Sequence, residues 1–265
     1  MKEYIFNFHF KKIVITVLIL IASAYLTCII VYEDYIKYDY KTDRYYSNRV
    51  YDFSKIRSIR LRKKMFVDYM FLIIETENRE ILANRNELIE LKNKNILTSD
   101  ELDFINNIEK VYKMNLSEKS EDIDWNEMLN RVDIIPKELA ITQTAIESGW
   151  GTSVFAKKAN NMFGHWTYQV GTGLVPTRRD AGQTHEIAIF NSVNDSVKKY
   201  MLNLNTNRAY QHLRLLRSEL RDANEDIRGE ILSAGLLNYS GIGSDYIKMI
   251  NSIVRDISRY WRLDD

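Results

Sequence analysis

From Ile13 to Tyr32 the chain reads IVITVLILIASAYLTCIIVY, an apolar run without a charge. Its length matches one helical crossing of a bilayer's hydrocarbon core, so residues 13–32 are expected to form a transmembrane anchor. Lys2, Lys11 and Lys12 precede the run, while Glu33 and Asp34 follow it. The positive-inside rule then puts residues 1–12 in the cytoplasm and the rest outside. A cleaved leader is the competing reading, with Ala22-Ser23-Ala24 as its small-residue site. The apolar run continues past Ala24, which favours an uncleaved anchor.

Residues 33–55 are rich in Tyr, Asp and Lys without a clear period, and read as a linker. Beyond them the spacing turns helical. Phe66, Met70, Ile73, Ile74, Ile81, Leu88 and Leu91 recur mostly three, four or seven residues apart, which predicts a helix from Ile56 to about Asn93. The basic cluster Arg57, Arg60, Arg62, Lys63 and Lys64 reads as its solvated face. Ser99 is expected to cap a second helix that ends near Met114. Residues 56–114 thus make a helical accessory region. A polar loop, Asn115 to Asp124, opens the catalytic domain, residues 115–265. Pro136 suits a first helical turn, and Gly149 suits a helix stop, which brackets a largely apolar helix. Glycines at 171, 173 and 182 and the alternating run His185 to Phe190 predict one or two hairpins. Helical patterns resume at 194–204, 207–223, 226–237 and 243–261. The expectation is an α+β fold, mainly helical, with a small β-hairpin region.

Composition narrows the function classes. A net charge of +1 gives no field for nucleic acid. The single cysteine, Cys28, rules out an internal disulfide. Histidines at 9, 165, 185 and 212 lack HExxH spacing. No GxSxG elbow and no phosphate-binding glycine loop occur. No metal or organic cofactor is expected.

One segment stands out, Ala145-Ile146-Glu147-Ser148-Gly149-Trp150-Gly151. It sets a carboxylate at the end of an apolar helix, beside glycines and a tryptophan. Burial among apolar groups raises a glutamic acid's pKa, and a protonated carboxylic acid is what a glycosidic leaving oxygen requires. Glycoside hydrolysis usually employs a second carboxylate. Glu186 is the candidate, because alternation puts Glu186, Ala188 and Phe190 on one strand face and directs Glu186 toward a cleft edge. Trp150, Phe163, Trp166, Tyr239 and Tyr246 lie near the glycine-containing segments, where aromatic faces stack on sugar rings.

The stretch IESGWGTSVFAKKANNMFG at residues 146–164 resembles the signature of the peptidoglycan glucosaminidase family, glycoside hydrolase family 73. Its marks are an acidic residue before Ser-Gly-Trp-Gly, then Asn160-Asn161 and Phe163-Gly164. RVDIIPKELAITQ, THEIAIFNSVNDSVKKYMLNLNT, AYQHLRLLR and the Tyr239-Ser240-Gly241 region resemble its Bax-like branch, as does the helical stretch from about 53 to 113. The resemblance implies a lysozyme-like catalytic domain that cleaves the β-1,4 bond after N-acetylglucosamine in peptidoglycan glycan strands. It maps the catalytic glutamate onto Glu147, the second carboxylate onto Glu186 and a functional tyrosine onto Tyr239. Here Tyr239 precedes Ser-Gly-Ile-Gly, where many relatives carry Ala-Thr-Asp. Asn161 joins Trp150, Phe163, Trp166 and Tyr246 as expected substrate-binding residues. His165 receives no role.

Three rivals remain open on the sequence, one of them a membrane-tethered helical adaptor that works through residues 56–114 with the hydrolase domain as its targeting device. A lytic transglycosylase needs one acid and leaves anhydro-muramyl ends. A non-catalytic wall-binding or scaffold protein keeps the fold without the activity.

Overall fold

The computed structural model describes residues 14–27, 29, 50–117, 119–176, 182 and 184–261, with side chains as far as residue 257. The chain divides into two compact units, residues 1–47 and 48–265. In the first, residues 14–27 form helix α1, and its described apolar side chains are exposed. The expected anchor at 13–32 extends outside the described residues, as do residues 1–12 and most of the 33–55 linker. Among the described residues no helix is long and apolar enough to cross a membrane.

The second unit begins with a single 3-10 turn, Phe53–Lys55, capped by the Asp52 carboxylate. Phe53 is fully buried and meets Tyr51, Phe66 and Tyr69 edge-on at 5.3–5.7 Å between ring centroids. Helix α2, Ile59–Lys92, starts at Ser58, whose hydroxyl accepts from the Leu61 amide. Its 34 residues span about 50 Å. The apolar series from Phe66 to Leu91 is buried. Helix α3, Ser99–Val111, is capped one residue earlier than expected. Thr98 accepts from the Glu101 amide and Glu101 accepts from the Thr98 amide, the reciprocal box that Ser99 is out of register to make.

Helix α4, Trp125–Arg131, starts on Asp124 within what the sequence presents as a loop margin. Helix α5, Lys137–Ser148, runs from Pro136 to Gly149, and Gly149 closes it in the left-handed conformation. Eight of its twelve residues are buried, because α2 and the helix Ser244–Trp261 pack against it. Trp150 and Gly151 continue with positive φ, at 59° and 73°. A left-handed tryptophan is strained by about 1–2 kcal/mol. The turn nevertheless brings the Gly151 backbone onto Phe53, where an added Cβ would lie 2.6 Å from the ring.

Helix α6, Val154–Ala159, leads into a three-stranded antiparallel sheet. Its strands are β1 (Trp166–Thr167), β2 (Gly173–Leu174) and β3 (Glu186–Ala188), with β3 in the middle. Thr167 stands opposite Glu186, and Gly173 opposite Ala188. Helices α7 (Val193–Thr206), α8 (Gln211–Asp222), α9 (Gly229–Leu232) and α10 (Ser244–Trp261) complete the unit. The fold is α+β and mainly helical, with its small sheet inserted between α6 and α7.

Candidate active site

Helix α5 is largely buried and carries several polar side chains. Gln143 and Glu147 are one turn apart and lie on the same side. Tyr246, in the first turn of α10, is 1% exposed, yet its hydroxyl reaches the end of α5. It donates to Glu147 Oε1 at 2.8 Å. Gln143 Nε2 donates to the Tyr246 hydroxyl at 3.2 Å, and the Tyr200 hydroxyl of α7 donates to Gln143 Oε1 at 2.7 Å. The result is a one-way chain of donors from Tyr200 through Gln143 and Tyr246 to Glu147. With its amide oxygen taken by Tyr200, Gln143 presents N–H to Tyr246, which leaves Tyr246's own proton for Glu147.

Aromatic rings wall this chain. Tyr239 stacks on Tyr246, 5.4 Å between centroids and 9° between planes. Tyr210 leans on Tyr239 at 6.0 Å. Phe163 stacks on Tyr200 at 3.9 Å. The Tyr239 hydroxyl has no hydrogen-bond partner among the described residues, and neither has Glu147 Oε2.

Burial raises the Glu147 carboxyl above its ordinary range, and the hydrogen bond from Tyr246 pulls the other way without cancelling it. Burial, reinforced by the Glu147 carboxylate, raises the Tyr246 phenol, and burial raises those of Tyr200, Tyr239 and Tyr210. Each of the four is held further into its neutral form than an exposed phenol. The cluster therefore offers a carboxylic acid held on one oxygen, the other oxygen unengaged, in an aromatic surround.

Glu186 has a different setting. The alternating pattern directs it toward a cleft edge, but its side chain is buried, 3% exposed, and folds across its own hairpin. The Gly171 amide lies 3.0 Å from both carboxylate oxygens, and the Gly173 amide donates to Oε2 at 2.8 Å. Gly173 is required here, since a Cβ would sit 2.4 Å from the Ile187 carbonyl oxygen and 2.8 Å from Glu186 Cβ.

The expected substrate-binding residues are dispersed. Trp166 is 46% exposed and meets His185 edge-on at 4.3 Å. Trp150 packs on Phe66 of α2, with the Lys63 ammonium 4.5 Å above its ring. Phe163 is buried behind Tyr200. Asn161, expected to touch substrate, is 2% exposed. Its amide donates to the His165 and Ala188 carbonyls and accepts from the His165 amide, which ties the turn before β1 to β3. His165 lies between Phe163 and Phe190, where burial pushes its imidazole down to about 4 and keeps it neutral.

Gln143, Tyr200 and Tyr210 are the participants that sequence reasoning missed. The signal for Gln143 is present: a glutamine one turn before Glu147 in an otherwise apolar helix. The tyrosines carry no local mark, because periodicity counts them as core.

The family model described as glucosaminidase, mannosyl-glycoprotein endo-beta-N-acetylglucosaminidase, matches residues 123–259. That range contains Gln143, Glu147, Tyr200, Tyr239 and Tyr246. Protein bax of Escherichia coli (strain K12) is 33% identical over 223 residues, which cover 84% of this chain and 80% of that protein. No solved structure matches.

Proposed function

The chain belongs to the glucosaminidase family, and from that premise we propose that it is an endo-β-N-acetylglucosaminidase that hydrolyses the β-1,4 bond after N-acetylglucosamine in peptidoglycan. The observation that carries the proposal is the state of Glu147. Burial favours its protonated form, and Tyr246 occupies Oε1. The proton then belongs on Oε2, the oxygen left to face a leaving group. Protonation of the glycosidic oxygen by Glu147 departs from this arrangement with no rearrangement of the hydrogen-bond chain. On this reading the hydroxyl of Tyr239, whose ring stacks on Tyr246, holds the N-acetyl group or the attacking water.

The second half of the reaction has two readings. In one, Glu186 activates water or stabilises the oxocarbenium charge. In the other, the sugar's own N-acetyl oxygen attacks and Glu186 acts as a support. Its engagement by the amides of Gly171 and Gly173 favours the second, since a carboxylate so held has to give up backbone bonds to take a proton from water. We also propose that residues 13–32 anchor the enzyme in the cytoplasmic membrane with residues 48–265 outside. Support comes from the uncharged run and the lysines before it. Cleavage of that unit by protease added to intact spheroplasts tests the topology, and full protection contradicts it.

Product analysis tests the activity. Purified peptidoglycan is digested with the full-length protein and its Glu147→Gln variant, and the borohydride-reduced products are identified by mass spectrometry. Reduced N-acetylglucosamine ends from the wild type alone are expected. Anhydro-muramyl ends instead mean a lytic transglycosylase, and binding without cleavage means a scaffold.

A further inference from the structure

A second cluster of charge lies where α2, α4 and α8 meet, and it shares no residue with the tyrosine-lined site. Asp133, 2% exposed, accepts from Arg221 Nε at 3.1 Å and Nη2 at 2.8 Å. Arg85 Nη1 lies 3.5 Å from the same carboxylate and Arg217 Nε 3.8 Å from it. Three guanidinium groups thus share one carboxylate. Arg217 is explained by the fold. It is fully buried and its Nη1 and Nη2 donate to the carbonyls of Asn130, Asp133 and Ile134 and to Asn205 Oδ1.

The rest of the cluster is not used up in this way. Arg85 employs Nη1 on the Leu129 and Val132 carbonyls, which leaves Nε and Nη2 without a partner among the described residues. Arg221 likewise has Nη1 unengaged. The Asn130 side-chain amide makes no hydrogen bond among those residues, and its oxygen is sealed from solvent. Lys92 borders the same place and makes no hydrogen bond or ion pair among them. All of these border one cavity of about 320 Å³. Around it Arg85, Lys92, Arg217 and Arg221 face only Asp133 and Asp222, an excess of two positive charges. Uncompensated charge in a partly buried site is unfavourable. Planar guanidinium edges with free N–H pairs match the geometry of an oxyanion. The volume is at the lower end of the range for small-molecule sites.

We propose that this cavity binds a small oxyanion, a phosphate or carboxylate group, held by Arg85, Arg221 and Lys92. The site is independent of the glycosidase reading. Its test is calorimetric titration of the full-length protein, in a non-ionic detergent at low ionic strength, with inorganic phosphate and separately with acetate. Saturable binding of at least one is expected, and the tighter of the two identifies the ligand's acidic group. Arg221→Gln should weaken that binding by about tenfold, the share of one charge-assisted hydrogen bond. Lys92→Gln, an exposed position whose change leaves Asp133 paired, should weaken it by about threefold. Lys92→Gln serves as the readout if Arg221→Gln does not fold. No saturable binding of either anion, or wild-type affinity in the Lys92→Gln protein, overturns the proposal.

Discussion

Glu147 and Glu186 are both glutamates in one compact unit, and the fold treats them in opposite ways. Glu147 ends a buried helix, half-buried, with one oxygen held by a side-chain hydroxyl and the other left over. Glu186 is buried in a three-residue strand, with the amides of Gly171 and Gly173 upon its oxygens. A carboxylate that has to deliver a proton needs an unengaged oxygen and a surround that resists its charge. One that has to hold a loop needs backbone donors. The difference teaches that a family's two acidic positions need not share the chemistry equally. On the proposed reading, Glu147 is the reacting group and Glu186 first of all the clamp of the hairpin.

The comparison breaks or sharpens under substitution. The largest effect is expected for Glu147→Gln, a fall in kcat on peptidoglycan of about 10²–10⁴, the usual share of general acid catalysis. KM should change little. Gly173→Ala comes next. Its Cβ meets the Ile187 carbonyl oxygen and Glu186 Cβ, and overpacking of this kind costs about 1–3 kcal/mol. Chemical denaturation should report that loss, and hydrogen exchange should locate it in the hairpin. Glu186→Gln keeps an acceptor for the glycine amides, so kcat should fall by less than about tenfold, with faster exchange at Gly171 and Gly173. A fall as deep as that of Glu147→Gln would return Glu186 to the role of base and end the contrast.

Two smaller effects concern protonation. The Tyr246 hydrogen bond favours ionised Glu147, and burial opposes it. Tyr246→Phe leaves burial unopposed, so Glu147 keeps its proton to higher pH. The alkaline limb of the kcat/KM profile should move upward, while kcat itself drops as the acid loses its fixed orientation. A limb that stays in place separates Tyr246 from Glu147. Stability should change least. Because the folded-state pKa of Glu147 is raised, the unfolded chain ionises first as pH rises and stability is lost above the ordinary carboxylate range. Glu147→Gln should therefore raise Tm at neutral pH, by about 2–4 °C per kcal/mol regained. The gain should vanish in acid below that range, where both states are protonated.

Much of this was legible in the sequence. Pro136 and Gly149 delimit α5 because their backbone constraints act locally, and the apolar period of α2 survives because one face meets the core throughout. The cap of α3 was read one residue late, since Thr98 and Ser99 are both good caps and only hydrogen-bond register separates them. Helix α4 escapes notice because its seven residues make only about two turns, too short for an apolar period to show. The site was legible where its residues are contiguous, from Glu147 to Gly151. It was hidden where tertiary packing assembles it: Tyr200 connects to Glu147 through Gln143 and Tyr246, Tyr210 leans on Tyr239 from a separate element, and nothing local distinguishes Tyr200 and Tyr210 from core aromatics. Asn161 and Glu186 show the reverse. Their identities are plain in the sequence, and the hydrogen bonds by which they hold the hairpin are not.

The central claim is that Glu147 supplies a proton to the leaving oxygen, and leaving-group dependence tests it most directly. A dinitrophenyl glycoside of an N-acetylglucosamine-ended disaccharide departs without protonation. The account predicts that Glu147→Gln cleaves it at close to the wild-type kcat while failing on peptidoglycan. Equal loss on both substrates would contradict acid catalysis by Glu147 and leave it a positioning residue.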